Sequence, residues 1–325
     1  MNSVNIHLFG KFSIDLEIRT YDCLYSQKVT ELFCYLIIHR NRPQNRELLA
    51  GVFWGDYRTI VSKKYLRKAL WQLHASLKSI HNEFADSMLA IESDWLQYKS
   101  NPDVSLDISA VEEAFENTKG VRGRDLDAHQ IQLIHKAIDL YRGDLLEGWF
   151  QDWCLLERER YKDIYLMLLD KLMGNCEASQ NFEAGIDYGQ RILSYDRAHE
   201  RTHYRLMRLK YLAGNRTGAI RQYEACRNAL QEELQVEPSE ATLSLYYQIA
   251  QDNLAETTRP IPKDTSEFNP EIAKLAESLE RIKALVGTHD SILRQIPKEI
   301  EAAEASLAKL KASQYPVSYL DSFLQ

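Results

Sequence analysis

The sequence predicts a mainly α protein. An N-terminal α+β winged helix-turn-helix is followed by an all-α tetratricopeptide-like repeat domain, and a coiled coil or helical hairpin closes the chain. Three observations predict this. In the first hundred residues, segments of alternating apolar residues bracket three segments of helical period. Residues 107–255 lack strand alternation and resemble themselves at a shift of 34 residues. Beyond residue 270, apolar residues step by three and four for more than five heptads.

Val4, Ile6 and Leu8 alternate with polar residues, Gly10-Lys11 interrupts, and Phe12, Ile14, Leu16 and Ile18 alternate again. The period of two predicts a half-buried hairpin. From Gln27, the i, i+3, i+4, i+7 spacing of Val29, Leu32, Phe33 and Leu36 predicts a helix ending near His39, with Arg42-Pro43 after it. Asn45 is placed to cap a short second helix, with Leu48, Leu49 and Val52 inside and Gly55-Asp56 as its stop. A third helix is predicted from Ser62, its expected N-cap, with Leu66, Leu70, Leu73 and Leu77 as the buried stripe. At about 100° per residue, Lys63, Lys64, Arg67, Lys68, Trp71, His74 and Lys78 fall on the opposite arc. Met88–Glu92 and Trp95–Lys99 flank Ser93-Asp94 as a second hairpin.

Hairpin, three helices, hairpin is the order of a winged helix-turn-helix, whose third helix enters the major groove and whose last hairpin is the wing. Charge distribution agrees. The chain carries −7 overall, but residues 26–80 hold ten Lys/Arg against three acids, a local +7 that leaves −14 elsewhere. A basic module on an acidic body suits a nucleic-acid binder whose remaining parts have other work. Arg46, Lys63, Lys64 and Lys68 are expected to meet phosphates, and Arg67, Trp71 and Gln72 to sit nearest the bases. Lys99 on the wing is expected to reach the neighbouring minor groove. The same residues support an alternative, a non-catalytic interaction scaffold whose winged helix no longer binds DNA.

The strings L-R-K-A-L-W-Q-L-H-A-S-L (Leu66–Leu77) and W-L-Q-Y-K-S-N-P-D-V-S-L-D-I (Trp95–Ile108) resemble the N-terminal region of the SARP-type bacterial transcriptional activators. Y-R-G-D-L-L-E-G (Tyr141–Gly148), D-W-C-L-L-E-R-E-R (Asp152–Arg160) and E-E-L-Q-V-E-P-S (Glu232–Ser239) resemble that family's helical companion, the bacterial transcriptional activator domain. The resemblance spans roughly residues 4–255. It implies an OmpR-like winged helix on repeated DNA sites, a tetratricopeptide-like domain for dimerisation, and recruitment of RNA polymerase. One departure stands out. Gln72, His74 and Ala75 occupy positions where the family tends to carry arginine, which lowers the expected phosphate affinity. No G-x-x-x-x-G-K-[ST] occurs, so no nucleotide hydrolysis is expected.

The shift of 34 aligns Leu172 with Leu206, Met173 with Met207, Asn181 with Asn215, Gly185 with Ala219 and Ile186 with Ile220. Each unit is then two antiparallel helices, turning at Gln180-Asn181 and at Gly214-Asn215, and stacked units offer a concave surface. The H-E-x-x-H at His199–His203 has the spacing of a helical zinc site. However, the shift places His199 on Tyr165, Glu200 on Leu166 and His203 on Leu169, and Leu206 and Leu209 stand where an extended motif needs Gly and a third His. Helix packing is the expected role, with no metal, no cofactor and no enzymatic activity. Glu157–Arg160 reads as a solvated face of ion pairs, and Trp149 and Trp153 as core anchors.

Three prolines mark 257–270 as a linker. In the tail, Gly287 weakens a helix by about 1 kcal/mol and Pro297 by about 3 kcal/mol, so a hairpin and a dimer-forming coiled coil both remain open. The domains expected are therefore 1–105, 106–256, the linker 257–270 and the tail 271–325. Scattered cysteines at 23, 34, 154, 176 and 226, with no C-x-x-C, fit reduced thiols in a cytoplasm. No window reaches a membrane span. The expected function is sequence-specific regulation of transcription as an activator. Double-stranded DNA, RNA polymerase and a second copy are the expected partners.

Overall fold

The computed structural model describes residues 4–81 and 84–253; the expected linker and tail over 257–325 lie outside the described residues. The chain runs β1 (Val4–His7), β2 (Ser13–Leu16), β3 (Arg19–Tyr21), α1 (Gln27–Ile38), β4 (Gln44–Asn45), α2 (Arg46–Trp54), α3 (Thr59–Ile80), α4 (Phe84–Met88), β5 (Leu89–Ile91), β6 (Trp95–Tyr98) and β7 (Val104–Leu106). Helices follow: α5 (Asp107–Thr118), α6 (Ala128–Leu140), α7 (Asp152–Ala178), α8 (Phe182–Tyr195), α9 (Glu200–Leu212), α10 (Arg216–Glu233) and α11 (Glu240–Ala250). None of the described helices is long and apolar enough to cross a membrane.

The first hairpin belongs to a four-stranded sheet of order β3-β2-β1-β7, in which β7 lies parallel to β1. Val4, Ile6 and Ile14 are buried on its inner face. Alternation stops earlier than expected: Glu17 takes a positive φ of 52° and turns the chain into β3, leaving Ile18 exposed. The second sheet, β4-β6-β5, is the wing, with Leu96 paired to Ile91 and Gln44.

The three helices between the sheets pack on the expected stripes with two corrections. Val29, Leu32, Phe33 and Leu36 of α1 are buried, as are Leu66, Leu70, Leu73 and Leu77 of α3. Asn45 caps α2, its Oδ1 accepting from the amides of Glu47 at 2.8 Å and Leu48 at 3.3 Å. Leu48 and Val52, however, are 71% and 49% exposed; Leu49, Ala50 and Phe53 are the inward residues of α2. The apolar run around Leu48-Leu49 offers two adjacent stripes, and burial takes the one continued by Phe53. Ser62 is not the N-cap of α3. The helix starts at Thr59, and the buried Ser62 hydroxyl donates to the Trp54 carbonyl at 2.8 Å, closing the α2–α3 turn from within.

In the helical half, Gln180 (φ 59°) and Gly214 (φ 77°) turn the chain at positions 34 residues apart. Gly189 lets α8 approach α9: a Cβ there would stand 2.7 Å from the Leu206 side chain. The H-E-x-x-H residues serve packing and capping. His203 is buried, its Nε2 donating to the Arg197 carbonyl at 2.9 Å while Nδ1 accepts from Gln222 Nε2 at 2.7 Å. Burial lowers its pKa from the usual imidazole value. Glu200 reaches α11 instead, accepting from the Ser239 amide at 2.7 Å and the Thr242 hydroxyl at 2.6 Å.

Winged helix and helical domain fall within one compact unit, Met1–Leu254, and share one apolar cluster running from Val4 to Ile192. Polar groups stitch this seam. Asp107, the first residue of α5, accepts from the amides of Leu8 (2.7 Å) and Phe9 (2.9 Å) in the sheet and of Ile108 (2.7 Å) in its own helix. Glu112 pairs with Arg40, two residues past the end of α1, and accepts from Tyr161 Oη at 2.6 Å. Residues 8–10 and 144–147 exchange backbone hydrogen bonds, with Leu146 donating to Leu8 at 2.8 Å. The Trp153 ring stands 5.3 Å from Tyr35 and 6.2 Å from Phe53, so the expected core anchor spans both halves. Glu157–Arg160 is only partly a solvated face. Arg158 turns inward and donates to the carbonyls of Leu145, Leu146 and Trp149 at 2.8–2.9 Å, whereas Glu157 and Arg160 form the expected ion pair at 2.8 Å.

Candidate nucleic-acid interface

The leucine stripe of α3 fixes which way the rest of that helix faces. With Leu66, Leu70, Leu73 and Leu77 buried against the core, Lys64, Arg67, Lys68, Trp71 and Lys78 are exposed and Lys63 half-buried. Among the described residues no carboxylate pairs with Lys64, Arg67 or Lys68; Arg67 Nε makes only a long 3.4 Å bond to the carbonyl of Lys63 one turn earlier. Trp71 is 69% exposed, an aromatic ring beside three unpaired cations. Such an arc can neutralise phosphates and present a guanidinium and a ring to base edges.

The other candidates lie elsewhere. Lys63 is paired with Glu47 of α2, whose carboxyl is held below its usual range by that hydrogen bond and charge. Gln72 is 9% exposed and faces inward, a correction to its place near the bases. It lies one turn after the buried Ala69, on the edge of the leucine stripe. Lys99 follows β6 at the open end of the hairpin, where its amide donates to Met88 at 2.8 Å, not at the tip. The tip is formed by Glu92, Ser93 and Asp94, all exposed. Arg46 reaches that tip, with Nη1 donating to the carbonyls of Glu92 (3.1 Å) and Ser93 (3.4 Å). His74, on the arc, pairs with Asp86 of α4 at 3.0 Å. That acid had no signal in the sequence, since nothing in the five-residue α4 has a period to read.

A winged helix with an open basic arc, built onto a tetratricopeptide-like helical domain, defines the architecture. Residues 106–250 match the family model described as bacterial transcriptional activator domain. The fold is also similar to a solved structure of Mycobacterium tuberculosis EmbR in complex with a low-affinity phosphopeptide. The TM-score is 0.57 at 15% identity, over 79% of this chain and 67% of that one. No curated protein matches the sequence. The family match thus covers the helical half of the chain, and the likeness to the solved structure extends over the fold of most of it.

Proposed function

We propose that this chain is a sequence-specific DNA-binding activator of transcription that reads the major groove with α3. The observation that carries the reading is the outward arc, on which Lys64, Arg67 and Lys68 are exposed without carboxylate partners beside an exposed Trp71. Lys63, Lys64 and Lys68 contact phosphates, with Lys63 leaving Glu47 to do so. Arg67 pairs with a guanine edge and Trp71 covers a thymine methyl or a sugar. Lys99, at the open end of the hairpin, serves as an outlying contact beside the groove. The helical domain pairs with a second copy or meets RNA polymerase. Selection of duplexes from a random pool by the full chain tests this. A recovered consensus containing guanine, lost in Arg67→Ala, is expected; an unenriched pool overturns it.

A second reading has its own support. Leu48 and Val52 of α2 and Ile60 at the start of α3 are exposed, and the wing tip is acidic, both of which suit protein contact more than phosphate contact. On that reading the chain is a scaffold, and its retention on DNA shows no log-linear dependence on salt.

A further inference from the structure

We propose that Arg46 is the residue that positions the wing, and is not one of the phosphate contacts. The inference rests on the DNA-binding reading above. Arg46 is the first residue of α2, and three successive carbonyls of the wing turn converge on it. Its amide donates to Asp94 at 2.9 Å, and its guanidinium donates to Glu92 at 3.1 Å and Ser93 at 3.4 Å. The preceding residue, Asn45, pairs with Trp95 across β4 and β6 and caps α2 through its side chain. One dipeptide thus fixes the start of α2 and the bend of the hairpin to each other.

The wing has little else at this end. β4 is two residues long, and β5 meets β6 through three residue pairs, the last being Ile91 with Leu96. The turn from Glu92 to Asp94 carries two exposed acids, which repel a phosphate backbone. A wing held in one position keeps those acids at a fixed distance from the arc of α3; a wing set loose brings them across it. Both bonds come from one nitrogen, Nη1, held at the end of a planar guanidinium that reaches further than a lysine stem, so a lysine ammonium keeps the charge but not that placement. Position 46 therefore depends on shape as well as charge, unlike Lys64.

The test uses the full chain as wild type, Arg46→Lys, Arg46→Ala and Lys64→Ala, with two readouts. Amide hydrogen exchange of residues 89–98 is measured without DNA, and affinity for a selected duplex is measured by fluorescence anisotropy. Both Arg46 variants are expected to exchange roughly tenfold faster in the hairpin and to lose roughly tenfold in affinity, as loss of two charged hydrogen bonds implies. Lys64→Ala is expected to lose affinity with hairpin exchange unchanged. If Arg46→Lys binds within about twofold of wild type, charge alone matters and the proposal is overturned. A loosened hairpin with full affinity overturns it too, since the bond is then structural only. Failure of the wild type to bind any duplex sinks the DNA-binding reading itself, a result distinct from both.

Discussion

The seam and the arc use the same residue types to opposite ends. In the seam, Arg40 is nine-tenths buried and spends its guanidinium on Ile37, Ser109 and Glu112, while Arg158 is consumed by three carbonyls. On α3, Lys64, Arg67 and Lys68 meet no carboxylate among the described residues. A buried cation left without a partner costs several kcal/mol, so the seam tolerates none. An exposed one costs little and keeps its charge for a ligand. The basic segment counted in the sequence therefore overstates the interface: Arg40 serves the seam, and Lys28 pairs with Glu31 at 3.0 Å. What remains is a compact patch mounted on a body whose two halves share one core.

The sharpest way to break the comparison is to damage the seam and ask whether the arc survives. Asp107→Ala leaves the buried amides of Leu8, Phe9 and Ile108 without their acceptor. At about 1–3 kcal/mol for each unsatisfied group, a total loss of about 4 kcal/mol is expected in urea unfolding. If both halves unfold in a single transition they share one core; two separated transitions would show that they do not.

A gentler version uses protons. Burial pushes the Asp107 carboxyl up to about 6, against the hydrogen bonds from Phe9, Leu8 and Ile108 and the nearby His7. The folded state then binds the proton more tightly than the unfolded state does. Asp107's contribution is thus fully present below the ordinary carboxylate range and is lost as pH rises through about 6. Relative to Asp107→Asn, wild-type stability should fall by up to about 3 kcal/mol between pH 4 and 7. Parallel pH profiles would remove Asp107 from the account.

On the arc, Arg67→Ala should cost about 1–3 kcal/mol of discrimination at one base pair, read by competition with mismatched duplexes. Its thermal stability should stay within about 0.5 kcal/mol of wild type, because the side chain buries nothing. The smallest effect belongs to Lys64→Ala. It should weaken all sequences alike and flatten the plot of log affinity against log salt by about 0.9.

Much of this contrast is legible in the sequence, for identifiable reasons. The stripe of Leu66, Leu70, Leu73 and Leu77 reads correctly because four leucines at one spacing leave a helix one way to face. Asn45 reads correctly as a cap, and the shift of 34 finds both inter-helix turns. Short-range signals that compete mislead. Ser62 has the chemistry of a cap, but its hydroxyl donates back to Trp54 at the end of α2. Leu48 and Leu49 are indistinguishable by hydropathy, and only the packing of α2 on α3 chooses between them. Gln72 needs the position of Ala69 and the core to be seen as buried. The seam is hardly legible at all. Asp107 and Glu112 are acids on a helix start until β1, β7 and α7 bring their partners from about a hundred residues upstream and fifty downstream.

The central claim is that three unpaired cations on α3 carry the affinity for DNA. Its most direct test is the salt dependence of duplex binding by the full chain, compared with the triple variant Lys64→Ala/Arg67→Ala/Lys68→Ala. A log-linear dependence is expected in the wild type, its slope dropping by about 2–3 units in the variant with folding unchanged. Equal slopes, or a wild type whose retention ignores salt, would contradict it.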